Sequence, residues 1–392
     1  MHVGLVAQEF PPRVPMGGIG TQTALKALEL HRLGHTITVI TRADRGGRTV
    51  TVEDGVRVVR IDTAGAPAHT EIADWIQHST RVAAEIDTLH ADTPFDILDF
   101  PEWAAEGYTF FLNRTQWNRI PAVIQLHGPL VMLAREIGWP ALDSEFYRTG
   151  THMESTCLRL ADGIYSSSNC STAWCGREYG IATAAIPTLH TGIQVGLFQA
   201  DARRRGEPAT VVFAGKLVRN KGVFELVEAA VALAQRAVAA RLILIGTGTA
   251  DIVRELGAIA AQGPLDIQFA GFLPRAEIAR IFSVADIFCA PSHYEGGPGF
   301  VYLEAMASGL PVVACTGSGA GECVTDGREG LLVPPADTAA LTAALHTLLG
   351  DADMRERMSA NAVEYARRHA DSAVCVARIE QFYRQVLDRA AS

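Results

Sequence analysis

Residues 209–245 read ATVVFAGKLVRNKGVFELVEAAVALAQRAVAARLILI. Ala209–Ala214 is a short apolar run that stops at a glycine, Val223–Ala239 has helix length, and Arg241–Ile245 is a second short apolar run. Strand, helix and strand in that order make a βαβ unit, which requires a parallel sheet covered on both faces. The alternation continues downstream through the strand-like runs Leu265–Ala270, Asp286–Ala290, Val312–Ala314 and Gly330–Val333. Upstream it is carried by Val3–Ala7, Thr36–Ile40, Val56–Ile61, Ile97–Asp99, Ala122–Leu126, Gly163–Ser167 and Ala185–Leu189. Amphipathic stretches such as Thr21–Leu33, His69–His90 and Ser144–Leu160 separate them.

Between the two series lies Thr191–Pro208, where Gly192, Gly196, Arg203–Arg205, Gly206 and Pro208 cluster without periodicity. Breakers and charges without a period mark a linker. The expected class is therefore α/β, with Rossmann-like doubly wound parallel-sheet domains at 1–190 and 209–370, a linker at 191–208, and a cleft between them. The tail, Asp351–Ala390, reads as two further helices with no strand after them. In such sheets ligands bind at the carboxyl ends of the strands.

Composition removes several functions. The chain of 392 residues is 48% hydrophobic and 20% charged, too apolar for a disordered chain. Lys plus Arg is 34 against 43 for Asp plus Glu, a formal charge of −9. Phosphate-backbone affinity needs clustered cations, so no nucleic-acid partner is expected. The one dense basic run, Arg203–Arg205, is flanked by Asp201 and Glu207 and reads as solvated linker. No apolar run reaches the ~18 residues of a membrane span. The N-terminus lacks a basic n-region and starts as a strand, so it does not read as a signal peptide. Seven cysteines without a C-x-x-C pair read as reduced thiols of a cytoplasmic chain, with no metal site.

The strand-to-helix loops carry the chemistry. After the first strand, Gly17-Gly18-Ile19-Gly20 leads into a helix that Thr21 could cap. Glycines before a helix start let backbone amides approach an anion, although a plain turn would use them too. The pattern is not G-x-G-x-x-G, and no acid ends the second strand at Thr41-Arg42, which disfavours a dinucleotide site. Gly246-Thr247-Gly248 is a weaker anion candidate, since its sixth position is Asp251. Gly215 opens a loop with Lys216 and Lys221, two compact cations suited to phosphate oxygens or, equally, ordinary surface lysines. Glu295 is followed by Gly296, Gly297, Pro298 and Gly299, then by a helix bearing Glu304. That loop allows close backbone approach to a ligand. Glu304 sits in the otherwise apolar run Leu303–Ala307, where a carboxylate is costly unless partnered. His127 follows the strand Ala122–Leu126, at a carboxyl end.

Together these segments resemble a retaining family 4 glycosyltransferase of the GT-B fold, also called glycosyl transferases group 1. The resemblance rests on the GGIG loop, Leu126-His127-Gly128, Gly215-Lys-Leu-x-x-x-Lys-Gly222, Gly271-Phe-Leu and Ala285-Asp286. It continues through Pro291-Ser-x-x-Glu-Gly, Leu303-Glu-Ala-Met-Ala-Ser-Gly-Leu-Pro-Val-Val313 and Glu329-Gly-Leu-Leu-Val-Pro-Pro335. It implies that Lys216 and Lys221 hold a donor diphosphate, that Glu304 binds the ribose, and that Glu295 meets the transferred sugar with Gly296 and Gly297 beside it. Phe272 and Leu273 would lie near the base. Gly18 and His127 would border the reacting sugar from the first, acceptor-binding domain, onto which a last helix of about 371–392 crosses back. Candidate acceptor contacts are Arg13, Glu102, Trp103 and Glu106, with further walls at Asp99 and His127–Arg135. The acceptor class stays open: acidic residues suit a cationic or polyhydroxyl acceptor, whereas Leu130–Leu133 and Trp139 suit a lipid-linked one or are core.

Three positions depart from the family pattern. Lys216 stands where Arg is usual, eight residues rather than seven separate Glu295 from Glu304, and Thr191-Gly-Ile-Gln194 replaces Asn-Gly-Val-Asp. The resemblance implies hexose transfer with retention from a nucleotide diphosphate sugar, most often UDP-linked, to a hydroxyl of a small molecule, glycan or glycolipid. Developing charge on a departing diphosphate needs preorganised cations and dipoles. With lysines and amides in that role no metal or other cofactor is expected. Asp351-Ala-Asp353 reads as a helix cap rather than a metal motif. A UDP-sugar 2-epimerase and an inactive nucleotide-sugar-binding protein are the alternatives on the same scaffold. Peripheral membrane contact and oligomeric state stay open.

Overall fold

The computed structural model describes residues 1–11, 18–43, 47–62, 70–199, 208–317 and 319–391. The chain divides into two compact units, Met1–Gly192 with Ser372–Ser392, and Ile193–Asp371. In the first unit, strands β1 (His2–Val6), β2 (Thr36–Arg42), β3 (Thr49–Glu53), β4 (Val56–Ile61), β5 (Ile97–Pro101), β6 (Ala122–Leu126) and β7 (Gly163–Ser166) alternate with helices. Those helices are α1 (Gly18–Arg32), α2 (Glu71–Asp92), α3 (Tyr108–Asn113), α4 (Leu130–Glu136), α5 (Glu145–Leu160) and α6 (Asn169–Tyr179). The second unit holds β8 (Ala209–Ala214), β9 (Ala240–Ile245), β10 (Asp266–Gly271), β11 (Ile287–Cys289), β12 (Val312–Cys315) and β13 (Gly330–Val333). Its helices are α7 (Val223–Gln235), α8 (Ala250–Ala260), α9 (Arg275–Phe282), α10 (Phe300–Ala307), α11 (Thr338–Gly350) and α12 (Ala352–Tyr365). The last helix, α13 (Ser372–Ala391), returns to the first unit.

The sheet orders are β3-β4-β2-β1-β5-β6-β7 and β10-β9-β8-β11-β12-β13. Every pairing is parallel except β3 with β4. In each sheet the winding reverses next to the first strand, at β1/β5 and at β8/β11. In doubly wound sheets ligands bind beside the carboxyl ends of the strands at such a reversal. Val3, Leu5, Ile37, Val39, Ile97 and Val123 face one core of the first sheet, while Val6, Ile40, Leu98, Phe100 and Ile124 face the other. Both faces are apolar because helices cover both.

Helix α13 closes one of those faces with Val376, Ile379, Phe382, Tyr383 and Val386, spaced along a single helical stripe. Beneath it lies a buried charge network. Lys26 of α1 ion-pairs with Asp99 of β5 and also donates to Gln125 Oε1 and Tyr165 OH, each at 2.8 Å. The hydroxyls of Tyr165 and Tyr383 both donate to Asp99. Burial pulls the Lys26 pKa down, and the Asp99 charge opposes that shift.

Some local expectations need correction. Thr21 does not cap a helix, because α1 already begins at Gly18. Ala185–Leu189 forms no strand: Pro187 has no N–H to give a ladder, and only Thr188 bridges, to Ser166. The edge strand β3 escaped the reading because its Thr-Val-Thr-Val alternation spans only five residues and turns its valines to solvent, Val50 at 42% and Val52 at 74% exposure. Helix α2 starts at Glu71 with Thr70 as its cap, while His69 lies outside the described residues. Asp351 does cap α12, accepting the Met354 amide at 2.8 Å. No described helix is long and apolar enough to cross a membrane.

Removing one partner of a buried ion pair strands the other charge, at about 3–5 kcal/mol. Lys26→Met should therefore destabilise the first unit by that amount, and Tyr383→Phe by about 1 kcal/mol for one lost hydrogen bond. Urea unfolding reads both, and an unaffected Lys26→Met midpoint contradicts the network.

Candidate functional site

In the second unit, β8 and β11 pair in register, Val211 with Ile287 and Val212 with Phe288. Their carboxyl ends therefore deliver the loops 215–222 and 290–299 side by side. The loops are held together at several points. The His293 amide donates to the Asn220 carbonyl at 3.0 Å. His293 Nε2 lies 2.9 Å from Glu225 Oε1 at the start of α7. Gly222 has φ +66°, and a Cβ there would sit 2.0 Å from the Pro291 carbonyl oxygen, so only glycine fits. Across this junction Lys221 Nζ donates to Glu295 Oε1 at 2.6 Å. Both side chains remain partly exposed. Lys216 is exposed, and no ion pair engages it among the described residues.

The loop with Gly296, Gly297, Pro298 and Gly299 is backed by the turn at Gly319. The Gly319 amide donates to the Glu295 carbonyl at 2.8 Å, and a Cβ on Gly319 would lie 2.2 Å from Gly297 N. Gly299 is the N-cap of α10, which places Glu304 in its second turn, 6% exposed. Arg275 is the partner that this buried carboxylate requires. The guanidinium lies 5.6 and 5.7 Å from the ring centres of Phe198 and Phe300. Burial lifts the Glu304 pKa above the usual carboxylate value, while Arg275 pulls it down. Sequence reasoning missed Arg275, although the cost of Glu304 in an apolar run signalled that a cation must stand nearby. Phe272, 80% exposed, and the partly buried Leu273 precede Arg275 in the same turn. The Gly246–Gly248 loop also borders this region, since Thr247 O accepts the Leu217 amide at 2.9 Å.

In the first unit, Gln8, Glu9, Gly18, Ile19, Trp103 and Glu106 line a cavity of about 180 Å³. Arg13 and Gly17 lie outside the described residues. Trp103 packs edge-on against Trp75, ring centres 5.6 Å apart. Glu106 is 1% exposed, and both its oxygens are engaged, by the Gln8 amide and by His78 Nε2, each at 3.0 Å. Glu102 corrects an expectation: it is 0% exposed and presents no carboxylate to an acceptor. Its Oε1 instead accepts the backbone amides of His127, at 2.7 Å, and Gly128. Leu130, Val131 and Met132 are core residues, which removes them as a lipid-facing wall. His127 is half-buried beyond β6. Burial, assisted by Lys26, holds its pKa at about 3, so the imidazole is neutral at physiological pH. Its Nδ1 is buried without a hydrogen-bond partner among the described residues.

The sequence matches the family described as "Glycosyl transferase 4-like domain" over residues 17–192 and that described as "Glycosyl transferases group 1" over residues 208–351. It is 27% identical to the glycogen synthase of Mycobacterium tuberculosis, covering 91% of this chain and 88% of that protein. It is 28% identical to a D-inositol 3-phosphate glycosyltransferase of Corynebacterium urealyticum, covering 90% and 86% respectively. Among solved structures, sucrose-phosphate synthase from Thermosynechococcus elongatus superposes with a TM-score of 0.82 at 22% identity over the full length of both chains. Anabaena HepE in complex with UDP and glucose superposes with a TM-score of 0.74 at 20% identity, covering 98% of this chain and all of that one.

The Arg275–Glu304 pair sets a pH-dependent stability. A carboxylate whose folded pKa is raised favours folding most when protonated, and that contribution is lost as pH rises through the folded value. Arg275→Leu takes away the cation that limits the rise. The gap between variant and wild type should therefore widen from pH 5 to pH 8, to roughly 1–3 kcal/mol given the partial exposure of Arg275. Urea unfolding at the two pH values measures it, and a pH-independent gap contradicts the pairing.

Proposed function

The chain belongs to the group 1, family 4 glycosyltransferases and has their GT-B fold, and we propose that it moves a hexose-type sugar from a UDP-linked donor to an acceptor hydroxyl, with retention of configuration and without a metal ion. The observation that carries this reading is the Lys221–Glu295 pair at 2.6 Å, at the junction of the two loops where β8 and β11 end. Sugar–phosphate cleavage places new negative charge on the departing diphosphate. Two unit charges about 4 Å apart interact by roughly 4 kcal/mol at an effective dielectric of 20. Only the part that grows in the transition state speeds the reaction. A fraction of that energy from each of Lys216 and Lys221 still corresponds to roughly 10²–10³ in rate. Glu295 then receives the sugar hydroxyls, while Glu304, steadied by Arg275, receives the ribose. Phe272 and Leu273 lie on the base side.

His127 enters as a neutral imidazole with an unsatisfied nitrogen. It suits hydrogen bonding to a sugar hydroxyl and not proton donation as an imidazolium. With no protein nucleophile assigned, the acceptor attacks on the face that the diphosphate leaves, which retains configuration. The cavity beside Trp103 offers an aromatic wall and polar edges to an acceptor, whether a small molecule, a glycan or a glycolipid. Two similar proteins are named glycogen synthase and D-inositol 3-phosphate glycosyltransferase, so a glycan and a small molecule both stand within the proposal.

Release of UDP from UDP-hexose with an acceptor mixture provides the test. Lys221→Ala should lower kcat/KM roughly 10²–10³-fold, and Glu304→Ala should act mainly through donor KM. EDTA should leave turnover unchanged. Unchanged turnover in both variants, or loss with EDTA restored by manganese, contradicts the proposal.

A further inference from the structure

Strand β5 runs beside β6 with Pro101 opposite Gln125, and the next amide, that of Glu102, donates to the Gln125 carbonyl at 3.1 Å. Glu102 thereby lies alongside the end of β6, under the turn that carries His127. Its carboxylate is wholly buried, and one oxygen takes both the His127 and the Gly128 amides. The other oxygen has no partner among the described residues, and no ion pair there involves Glu102. Two and three residues further on, Ala104 and Ala105 have φ of +61° and +46°. Non-glycine residues rarely hold such angles, and they persist only where surrounding structure enforces them. A buried acid without a cation, next to two strained alanines, is an expensive way to hold a turn. A neutral amide side chain would accept the same N–H groups at lower cost.

We propose that Glu102 is a positioning residue for the transfer reaction: through the backbone amides of His127 and Gly128, its carboxylate sets where the His127 imidazole sits. The proposal rests on the reading that His127 borders the transferred sugar. An ionised carboxylate accepts amide hydrogen bonds more strongly than a protonated one. Burial raises the Glu102 pKa to about 7, against the opposing pull of the Gly128, His127, Glu102 and Trp103 amides. The groups around it are Glu154 on α5, whose carboxylate accepts the Leu130 amide and the Tyr179 hydroxyl, and Cys175 and Tyr179 on α6. Burial and the Glu102 charge both push Glu154 upward. Burial, aided by Lys26 on α1, keeps His127 neutral. Raising the pH through 7 therefore ionises Glu102 and tightens the turn while the imidazole itself does not titrate.

The ring resonances of isotope-labelled histidines in the full chain test this without any turnover assay. The His127 signal, assigned by its loss in His127→Asn, should shift with a midpoint near pH 7 while keeping a neutral-imidazole signature. Glu102→Gln should abolish that shift. A wild-type His127 signal that is flat between pH 6 and 8 overturns the proposal even if the variant fails to fold. In turnover, wild-type kcat should rise through pH 7, and Glu102→Gln should flatten that rise and lower kcat about tenfold with donor KM within twofold. In a His127→Ala background, Glu102→Gln should cost nothing more in kcat. An additive loss would mean that Glu102 does not act through His127. If wild type transfers no sugar, the functional reading fails, and the ring titration alone then decides whether Glu102 governs His127.

Discussion

The Lys221 ammonium meets the Glu295 carboxylate because two adjacent parallel strands end level with each other. Everything proposed for the second unit depends on that coincidence. Neither side chain alone defines a site, since lysines and glutamates in loops are common. Their meeting across loops separated by more than seventy residues requires the strand order β9-β8-β11-β12 and a glycine at 222 that lets the chain pass against Pro291. The pair leaves the ammonium locally neutralised until a more negative group arrives. A diphosphate brings that charge, and the sugar attached to it brings the hydroxyls that can occupy Glu295.

Charge is handled differently in the first unit. There Lys26, Asp99, Glu102 and Glu154 are buried, and the shifts of Lys26, Glu102 and Glu154 come from desolvation before anything else. Lys26 and two tyrosine hydroxyls converge on one oxygen of Asp99, Oδ2, and the Tyr383 contact ties α13 to the sheet. Glu102 and Glu154 instead hold the turn from His127 to Leu130 by its amides. One network serves stability, and the other fixes the placement of a neutral imidazole.

Much of this was readable in the sequence, for identifiable reasons. Strand–helix alternation fixes a parallel sheet because the period of apolar residues is a local property. Asp351 could be recognised as a cap because capping spans only three residues. Glu304 announced a buried partner by standing in an apolar run, yet nothing local could say that Arg275, twenty-nine positions earlier, would supply it. Glu102 was misread as an acceptor contact because a carboxylate beyond a strand end looks solvent-facing. Its burial follows from Gln125 pairing and from the turn at 127–128, contacts about twenty-five residues away. The strand β3 and the failed strand at Pro187 show the same limit: edges and breaks depend on neighbours that local apolar patterning does not reveal.

A structure of the enzyme with UDP, obtained in the presence of a chelator, examines the electrostatic reading of the second unit directly. The pyrophosphate should lie within hydrogen-bonding distance of Lys216 or Lys221 Nζ and against the 295–299 loop, with the ribose on Glu304. A pyrophosphate bound away from both loops, or one that binds only when a divalent ion bridges it to carboxylates, would contradict it.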